Sequence, residues 1–209
     1  MPIPKTHIIT NPNADRGNAW KLSSDFRHIA DEFGEVDWSG TVYPTHANKL
    51  AHQAVLDGYE RIIAMGGDGT LHEVINGIMK VPRHQRPQVG VVPLGSGNDF
   101  SHIAGIKKDP CEALRQALSG SPRPIDVFVV EDDRGRREYV HNTMGIGFDT
   151  VVTIRTRSLS LVRGFMMYFT AVLQTILFNH NAFHVRVETD QTRWQDDLLM
   201  LTLCNGSRE

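Results

Sequence analysis

The segment RIIAMGGDGTLHEVINGI, Arg61–Ile78, decides the fold because it joins a strand pattern, a glycine-rich turn and a helix pattern without interruption. Its first residues form a short apolar run typical of a buried strand, and its last residues place apolar side chains at helical spacing. Gly66, Gly67 and Gly69 surround Asp68 where the strand should pass into the helix. Three glycines are more than a simple turn requires, so the segment predicts a βα unit with a functional loop at its corner.

The same alternation of strand and helix patterns continues on both sides of this unit. THIIT at 6–10 and GTVYPT at 40–45 are predicted strands, and QVGVVPLG at 88–95 is a fourth, with a later helix over Asp109–Leu118. This rhythm predicts an α/β fold with a parallel sheet covered by helices on both faces. Ligands of such sheets bind beyond the carboxyl ends of the strands, so we expect the loops after the strands to gather at one edge.

The composition changes after Ser121, where short β patterns replace the alternation. We therefore predict an α/β domain over residues 1–121 and a β-rich domain with a helical insertion over residues 122–209. The apolar stretch Leu161–Phe178 is interrupted by Arg163 and Gly164 and is shorter than the about 20 residues that span a bilayer. We interpret it as a helix packed on the β region, in preference to a lipid-facing surface, and we predict no transmembrane segment.

Bulk composition narrows the class of protein. The 209 residues are 40% hydrophobic and 22% charged, as in a globular protein, and the net charge of −2 provides no general attraction for nucleic acid. Two cysteines without a CxxC pair, and a first segment without an apolar core of signal-peptide length, favour a reduced, cytoplasmic setting. The ten histidines show no metal-binding spacing such as HExxH.

The glycine-rich corner has the chemistry of a phosphate site. Glycines allow a ligand to approach the backbone N–H groups, and the helix that begins near Thr70 directs the positive end of its dipole to the same place. Asp68 would repel a phosphate unless a cation lies between them, which points to magnesium with bound water. The alternative is a tight turn in which Asp68 only caps the helix, and the pentapeptide by itself leaves both interpretations open.

A second loop, PLGSGNDF at 93–100, favours the functional interpretation. It places Gly95 and Gly97 at another strand end, with Ser96 and Asn98 as hydrogen-bonding side chains and Asp99 as a further carboxylate. Two such loops in neighbouring βα units are more consistent with one binding site than with two unrelated turns. Neither the GxxxxGK[ST] nor the GxGxxG pattern occurs, so this is not a P-loop or a dinucleotide fingerprint.

The order of these motifs resembles the diacylglycerol kinase catalytic domain family of lipid kinases, which includes bacterial soluble members. The matching segments are NPNADRG at 11–17, GGDGTLHEVINGI at 66–78, PLGSGNDF at 93–100, PIDVFVV at 124–130 and HNTMGIGFD at 141–149. The resemblance covers nearly the whole chain. GGDGT is shared with NAD kinases, whereas PLGSGNDF makes the lipid kinase resemblance specific.

The resemblance implies an ATP-dependent, magnesium-dependent transfer of the γ-phosphoryl group to a lipid hydroxyl such as that of diacylglycerol. Asp126, Asp68 and Asp99 match acidic positions that surround magnesium through water, although Asp126 could equally be an ordinary residue at the start of a strand. Asp99 favours a glycerolipid or polyprenol acceptor over sphingosine. The implied nucleotide contacts are Asn11, Thr45, Gly66, Gly67, Asp68, Gly69, Thr70, Gly95, Ser96 and Asn98.

The resemblance also implies a lipid substrate met at the membrane surface, with peripheral attachment. The family's catalytic base is expected beyond residue 209, so we expect little or no kinase activity from residues 1–209 alone. The β region is expected to lack strands and to expose an edge that would allow a homodimer. An NAD kinase-like enzyme, or a nucleotide-binding or lipid-binding module without catalysis, are the alternative hypotheses.

Overall fold

The computed structural model describes residues 4–14, 23–148, 150–152, 154 and 182–205. Strands and helices alternate in its first part, as the sequence predicts. The elements are β1 (Thr6–Thr10), α1 (Ser23–Phe33), β2 (Val36–Gly40), α2 (His46–Leu56), β3 (Arg61–Gly66), α3 (Asp68–Ile78), β4 (Gln88–Pro93), α4 (Asp99–Ile103) and α5 (Pro110–Ser119).

The first four strands form one parallel sheet in the order β2-β1-β3-β4. Thr6 of β1 lies opposite both Val36 and Arg61, and Arg61 in turn lies opposite Gln88. Because the strands are parallel and nearly in register, their carboxyl ends meet at the same edge. The predicted parallel α/β domain is therefore confirmed.

Alternate residues of the central strands fill two cores, one on each face of the sheet. Ile62 and Ala64 of β3 belong to a buried cluster with residues of α2 and α3. Ile63 and Met65 belong to a second cluster with α1 and α5. Each buried isoleucine stabilises the fold by about 1.5–3 kcal/mol, so this two-sided burial holds β3 and the corner after it rigidly.

The second strand lies earlier in the chain than we predicted. It is Val36–Gly40, and the rest of the predicted segment, TVYPT at 41–45, follows it as a turn that leads into α2. Val42 is 77% exposed, so the alternation in that segment does not face a core. Trp38 packs against the second core cluster, which selects the earlier segment for pairing with β1.

The remainder of the described chain is rich in β structure, as expected. The strands β5 (Phe128–Glu131) and β6 (Arg137–Val140) form a hairpin around the segment DDRGRR. The later strands are β7 (Thr143–Gly147), β8 (Phe183–Glu188), β9 (Arg193–Leu198) and β10 (Met200–Cys204), of which β7 pairs with β10 and β8 with β9, both antiparallel.

Two compact units divide after Asn142, with Asn205 counted in the first. The β5–β6 hairpin belongs to the first unit because Asn76 of α3 exchanges two hydrogen bonds with the backbone of Tyr139 in β6, at 2.8 and 2.9 Å. This unit extends past residue 121, and the boundary proposed there between two functional domains stays a prediction.

Membrane insertion has no support from the helices that can be described. Across residues 4–14, 23–148 and 182–205, each helix is too short or too polar to traverse a bilayer. The interpretation of Leu161–Phe178 as a packed helix concerns residues outside the described part of the chain.

Candidate functional site

The two glycine-rich loops touch each other at the carboxyl edge of the sheet. A Cβ atom added to Gly95 would lie 2.6 Å from the Cα of Gly67, and one added to Gly67 would lie 3.1 Å from the Cα of Gly95. Such distances leave room for hydrogen alone. The loops after β3 and β4 therefore form one continuous surface, as the parallel topology predicts.

The first loop is held by the opening turn of α3. The carbonyl of Gly67 accepts hydrogen bonds from the backbone N–H groups of Thr70 at 2.9 Å and Leu71 at 3.2 Å. Thr70 is buried, and its hydroxyl accepts a 3.3 Å hydrogen bond from the side-chain amide of Asn11. Asn11 thus ties the end of β1 to the start of α3. Gly69, by contrast, faces open space, with no atom within 4 Å of where its Cβ would be.

The second loop is closed by a single side chain. Asn98 has a left-handed backbone, with φ of 55°, a conformation that asparagine adopts more readily than most residues. Its Oδ1 accepts from the N–H of Gly95 at 2.9 Å, and its Nδ2 donates to the Gly95 carbonyl at 2.6 Å. The amide of Asn98 is thus engaged with its own loop, which leaves the exposed Ser96 as the side chain presented between the two glycines.

Two of the three predicted carboxylates converge beside Gly97. A Cβ on Gly97 would lie 3.3 Å from Oδ2 of Asp68 and 3.4 Å from Oδ2 of Asp99. The other oxygen of Asp68 accepts a 3.4 Å hydrogen bond from the N–H of Phe100. Asp68 therefore connects the start of α3 to the start of α4, and both carboxylates border the space that Gly97 leaves free.

Asp126 lies on a different segment, with an exposed side chain and a carbonyl that accepts a 2.6 Å hydrogen bond from Asn205. It lines a cavity of about 710 Å³ together with Leu71 and Phe100, the immediate neighbours of Thr70 and Asp99. Within the described part of the chain, no three His, Cys, Asp or Glu side chains are grouped to hold a metal directly. The carboxylate oxygens of Asp68, Asp99 and Asp126 are of the type that suits a hard cation held through water. The network of these three carboxylates around a cation stays a prediction.

Thr45 immediately precedes α2, and its backbone contact identifies a residue that the sequence analysis missed. Its backbone is left-handed, with φ of 72°, and its N–H donates to Oε1 of Glu73 at 2.9 Å. The N–H of Ala47 donates to the other oxygen at 3.1 Å, so Glu73 of α3 caps the helix α2. No local pattern marks this role, because the partners are more than 25 residues apart in the chain.

His141 is a second residue that the sequence analysis did not single out. Only 5% of it is exposed, and the pKa of its imidazole is lowered to about 4, chiefly by burial and further by His72, while Asp68 raises it. Its ring packs edge-on against Phe100 with the centroids 5.1 Å apart. A neutral imidazole therefore packs against Phe100, the residue whose N–H donates to Asp68.

Comparison with known proteins assigns a family to this arrangement. The family model described as the diacylglycerol kinase catalytic domain matches residues 5–130, which include both glycine loops, Asp99 and Asp126. The chain belongs to the diacylglycerol kinase catalytic domain family. The resemblance read from the motifs is thereby confirmed.

Two curated relatives and one solved structure extend this finding. A protein named "Probable lipid kinase YegS-like" from Chromohalobacter salexigens is 34% identical over 160 residues, covering 76% of this chain and 49% of the relative. A protein named "Diacylglycerol kinase" from Bacillus subtilis is 31% identical over 213 residues, covering 97% of this chain and 66% of the relative.

The solved structure is described as a diacylglycerol kinase from Bacillus anthracis. It superimposes with a TM-score of 0.73 at 25% identity, covering 99% of this chain and 66% of the other. The chain thus spans between about half and two thirds of the length of these relatives. The match supports the fold over the described residues, and the activity of a whole relative reaches this chain only as a proposal.

Proposed function

We propose that this chain binds ATP as the nucleotide-binding part of a lipid kinase, which transfers the γ-phosphoryl group to the hydroxyl of a lipid such as diacylglycerol. The observation that carries this proposal is the contact between the two glycine loops, with the carboxylates of Asp68 and Asp99 both beside Gly97. Membership of the kinase family supports it.

The first glycine loop is suited to the phosphates of ATP. It precedes α3, a helix of 11 residues whose positive dipole end is directed at the loop. The open space at Gly69 allows a phosphate to approach the backbone without meeting a side chain. Ser96, exposed in the adjoining loop, would add a hydroxyl as a hydrogen-bond donor. Asn11, Thr70 and Asn98 would position these loops from behind.

Asp68 and Asp99 would hold magnesium through water, with Asp126 as a further acidic neighbour. Bound magnesium would offset the negative charge of the β- and γ-phosphates. Because α4 donates its Phe100 N–H to Asp68, the orientation of that carboxylate is set before any ligand arrives. The chain's contribution is therefore mostly the positioning of charge, on which phosphoryl transfer depends.

In the proposed reaction the acceptor's hydroxyl oxygen forms a bond to the γ-phosphorus, and the bond from that phosphorus to the bridging oxygen breaks, releasing ADP. The hydroxyl proton must pass to a base. We assign the described residues of the two loops to binding and positioning. A lipid acceptor also requires contact with a membrane surface, and a supply of ATP places the reaction in the cytoplasm.

Thermal unfolding with and without magnesium ATP tests the nucleotide site. A ligand at 100 times its Kd stabilises the folded state by about 2.7 kcal/mol, so the wild-type melting temperature should rise by several degrees. Asp68→Asn should lose most of this rise because it removes the charge that faces magnesium. Asp109→Asn is the matched control, since Asp109 caps α5 by accepting from the N–H of Glu112, a bond that asparagine can keep.

An unchanged wild-type melting temperature at millimolar magnesium ATP would refute the proposal. The acceptor is tested separately by transfer of radiolabel from ATP to diacylglycerol, undecaprenol or sphingosine in mixed micelles, by a protein of the relatives' full length. Vesicle co-sedimentation would test peripheral attachment, and sedimentation equilibrium would test the expected homodimer.

A further inference from the structure

Glu73 joins the helix of the first glycine loop to a third loop of the α/β sheet. This third loop, residues 41–45, leads from β2 into α2, and we name it the β2–α2 loop. One carboxylate oxygen of Glu73 accepts the N–H of Thr45 at 2.9 Å, and the other accepts the N–H of Ala47 at 3.1 Å. Both oxygens are therefore used to hold the junction between this loop and α2.

Thr45 has a backbone conformation that requires such support. Its φ of 72° lies in the left-handed region, which a β-branched residue adopts only at an energetic cost. Within the described part of the chain, Asn98 is the one other residue besides glycine with a positive φ, and asparagine tolerates that region better. The side chain of Thr45 makes no capping hydrogen bond to α2. The unfavourable backbone is therefore stabilised from outside the loop, by Glu73.

The β2–α2 loop lies at the same edge of the sheet as the first glycine loop. Thr10 of β1 lies opposite both Gly40 at the end of β2 and Met65 near the end of β3. The N–H of Thr41 donates to the carbonyl of Thr10 at 2.9 Å. Neighbouring strands are about 4.8 Å apart, so the ends of β2 and β3 are about 10 Å apart. A nucleotide with its phosphates at the first glycine loop is long enough to reach the β2–α2 loop with its nucleoside.

The β2–α2 loop exposes apolar and aromatic side chains at this edge. Val42 is 77% exposed and Tyr43 is 43% exposed. The ring of Tyr43 is stacked on that of His46 with the centroids 4.4 Å apart, and Nδ1 of His46 accepts the N–H of Val42 at 3.3 Å. Small-molecule sites are lined mostly by apolar and aromatic side chains, on which a flat ring can pack. The loop therefore suits the nucleoside better than the phosphates.

We propose that Glu73 is a positioning residue for nucleotide binding, which holds the β2–α2 loop in the conformation that receives the nucleoside of ATP. Glu73 does not touch the ligand and acts through the N–H groups of Thr45 and Ala47. It lies about one helical turn after Gly69 in α3, so it ties this loop to the helix that begins at the phosphate site. The inference rests on the proposed function, since it concerns the same ligand.

Calorimetric binding of magnesium ATP and of magnesium tripolyphosphate, which has the three phosphates without the nucleoside, tests the inference. Glu73→Gln keeps the size of the side chain but can accept only one of the two N–H groups. It should bind magnesium ATP about tenfold more weakly, because the left-handed backbone of Thr45 becomes the minor conformation. Its affinity for tripolyphosphate should not change, because the two glycine loops keep their own hydrogen bonds.

A second pair of variants separates positioning from a direct contact. Glycine adopts positive φ without strain, so in a Thr45→Gly background the change Glu73→Gln should weaken magnesium ATP by less than about threefold. Loss of the threonine hydroxyl affects both proteins of this pair and therefore cancels. Glu112→Gln removes an exposed carboxylate from the first turn of α5. This variant is the matched control and should bind both probes as the wild type does.

Wild-type affinity for magnesium ATP in a folded Glu73→Gln protein would overturn the inference, and so would an equal loss for both probes or in both backgrounds. Absence of magnesium ATP binding by the wild type would instead refute the proposed function. Amide hydrogen exchange of the wild type decides even where a variant fails to fold. Protection of the Thr45 N–H that rises with magnesium ATP but not with tripolyphosphate supports the inference. An exchange rate that magnesium ATP leaves unchanged overturns it.

Discussion

The loops at residues 66–70 and 95–99 meet at the same point, yet different forces hold them. The first continues into an 11-residue helix whose opening turn bonds back to Gly67. The second leads into a five-residue helix and is closed by the amide of Asn98 alone. The first loop is therefore stabilised by the whole helix α3, whereas the second depends on the side chain and the left-handed backbone of Asn98. Changes of one residue should affect them very differently.

The largest expected effect is at the contact between the loops. Gly95→Ala should reduce the free energy of unfolding by about 3 kcal/mol, because the new Cβ would lie 2.6 Å from the backbone of Gly67, which cannot move aside as a flexible side chain could. Urea denaturation measures this. A loss below about 1 kcal/mol would show that the loops separate easily, against the close contact described here.

Two variants of Asn98 separate the stability that its side-chain hydrogen bonds provide from the stability that depends on its left-handed backbone. Asn98→Ala should cost about 2.5 kcal/mol, since it removes two hydrogen bonds and places an alanine at φ of 55°. Asn98→Gly keeps the backbone unstrained and should cost about 1.5 kcal/mol. Equal losses in urea denaturation would mean that the backbone conformation contributes nothing.

Stability should depend on pH through His141, which packs on Phe100 beside the second loop and is influenced by Asp68 of the first. The pKa of about 4 in the folded state lies below the ordinary 6.5, so the unfolded state takes up the proton more readily. The stabilisation that comes from keeping His141 neutral is complete above pH 6.5 and is lost as the pH falls toward 4. At pH 5 the free energy of unfolding should be lower by about 2 kcal/mol.

His141→Phe should flatten this part of the pH dependence measured by chemical denaturation. Some slope should remain, because burial also lowers the pKa of His7. An identical pH dependence in the variant and the wild type would contradict a buried neutral His141.

The hydroxyl of Thr70 should contribute less to the free energy of unfolding than Gly95, Asn98 or His141. Thr70→Val leaves the amide of Asn11 without its acceptor and should cost about 1 kcal/mol in urea denaturation. Thr70→Ser keeps the hydroxyl and is the matched control. A larger loss for serine than for valine would show that packing of the methyl group, and not the hydrogen bond, holds the first loop.

The smallest effect on stability should come from Gly69→Ala. The new methyl group enters open space within α3, so the free energy of unfolding should stay within about 0.5 kcal/mol of wild type or rise slightly. If the proposed phosphate site is right, the affinity for magnesium ATP should nevertheless fall about tenfold, equivalent to about 1.4 kcal/mol. Unchanged affinity by calorimetry would place the phosphates elsewhere.

Much of the site could be predicted because its parts are local in the chain. Hydrophobic periodicity and the glycines predict the strand, turn and helix at 61–78. Parallel strands then bring the loops at 66–70 and 95–99 to one edge of the sheet. The second strand was misplaced because GTVYPT has strand-forming residues, whereas the core position of Trp38 depends on elements far away.

The sequence by itself determined the alternation of elements, the two glycine corners and the carboxylates beside them, since each follows from residues close together in the chain. Only the tertiary structure decided that Gly67 touches Gly95, that Glu73 caps α2 and that His141 is buried against Phe100. Those features join segments about 26 to 41 residues apart, where packing and burial select the partner and no local pattern can.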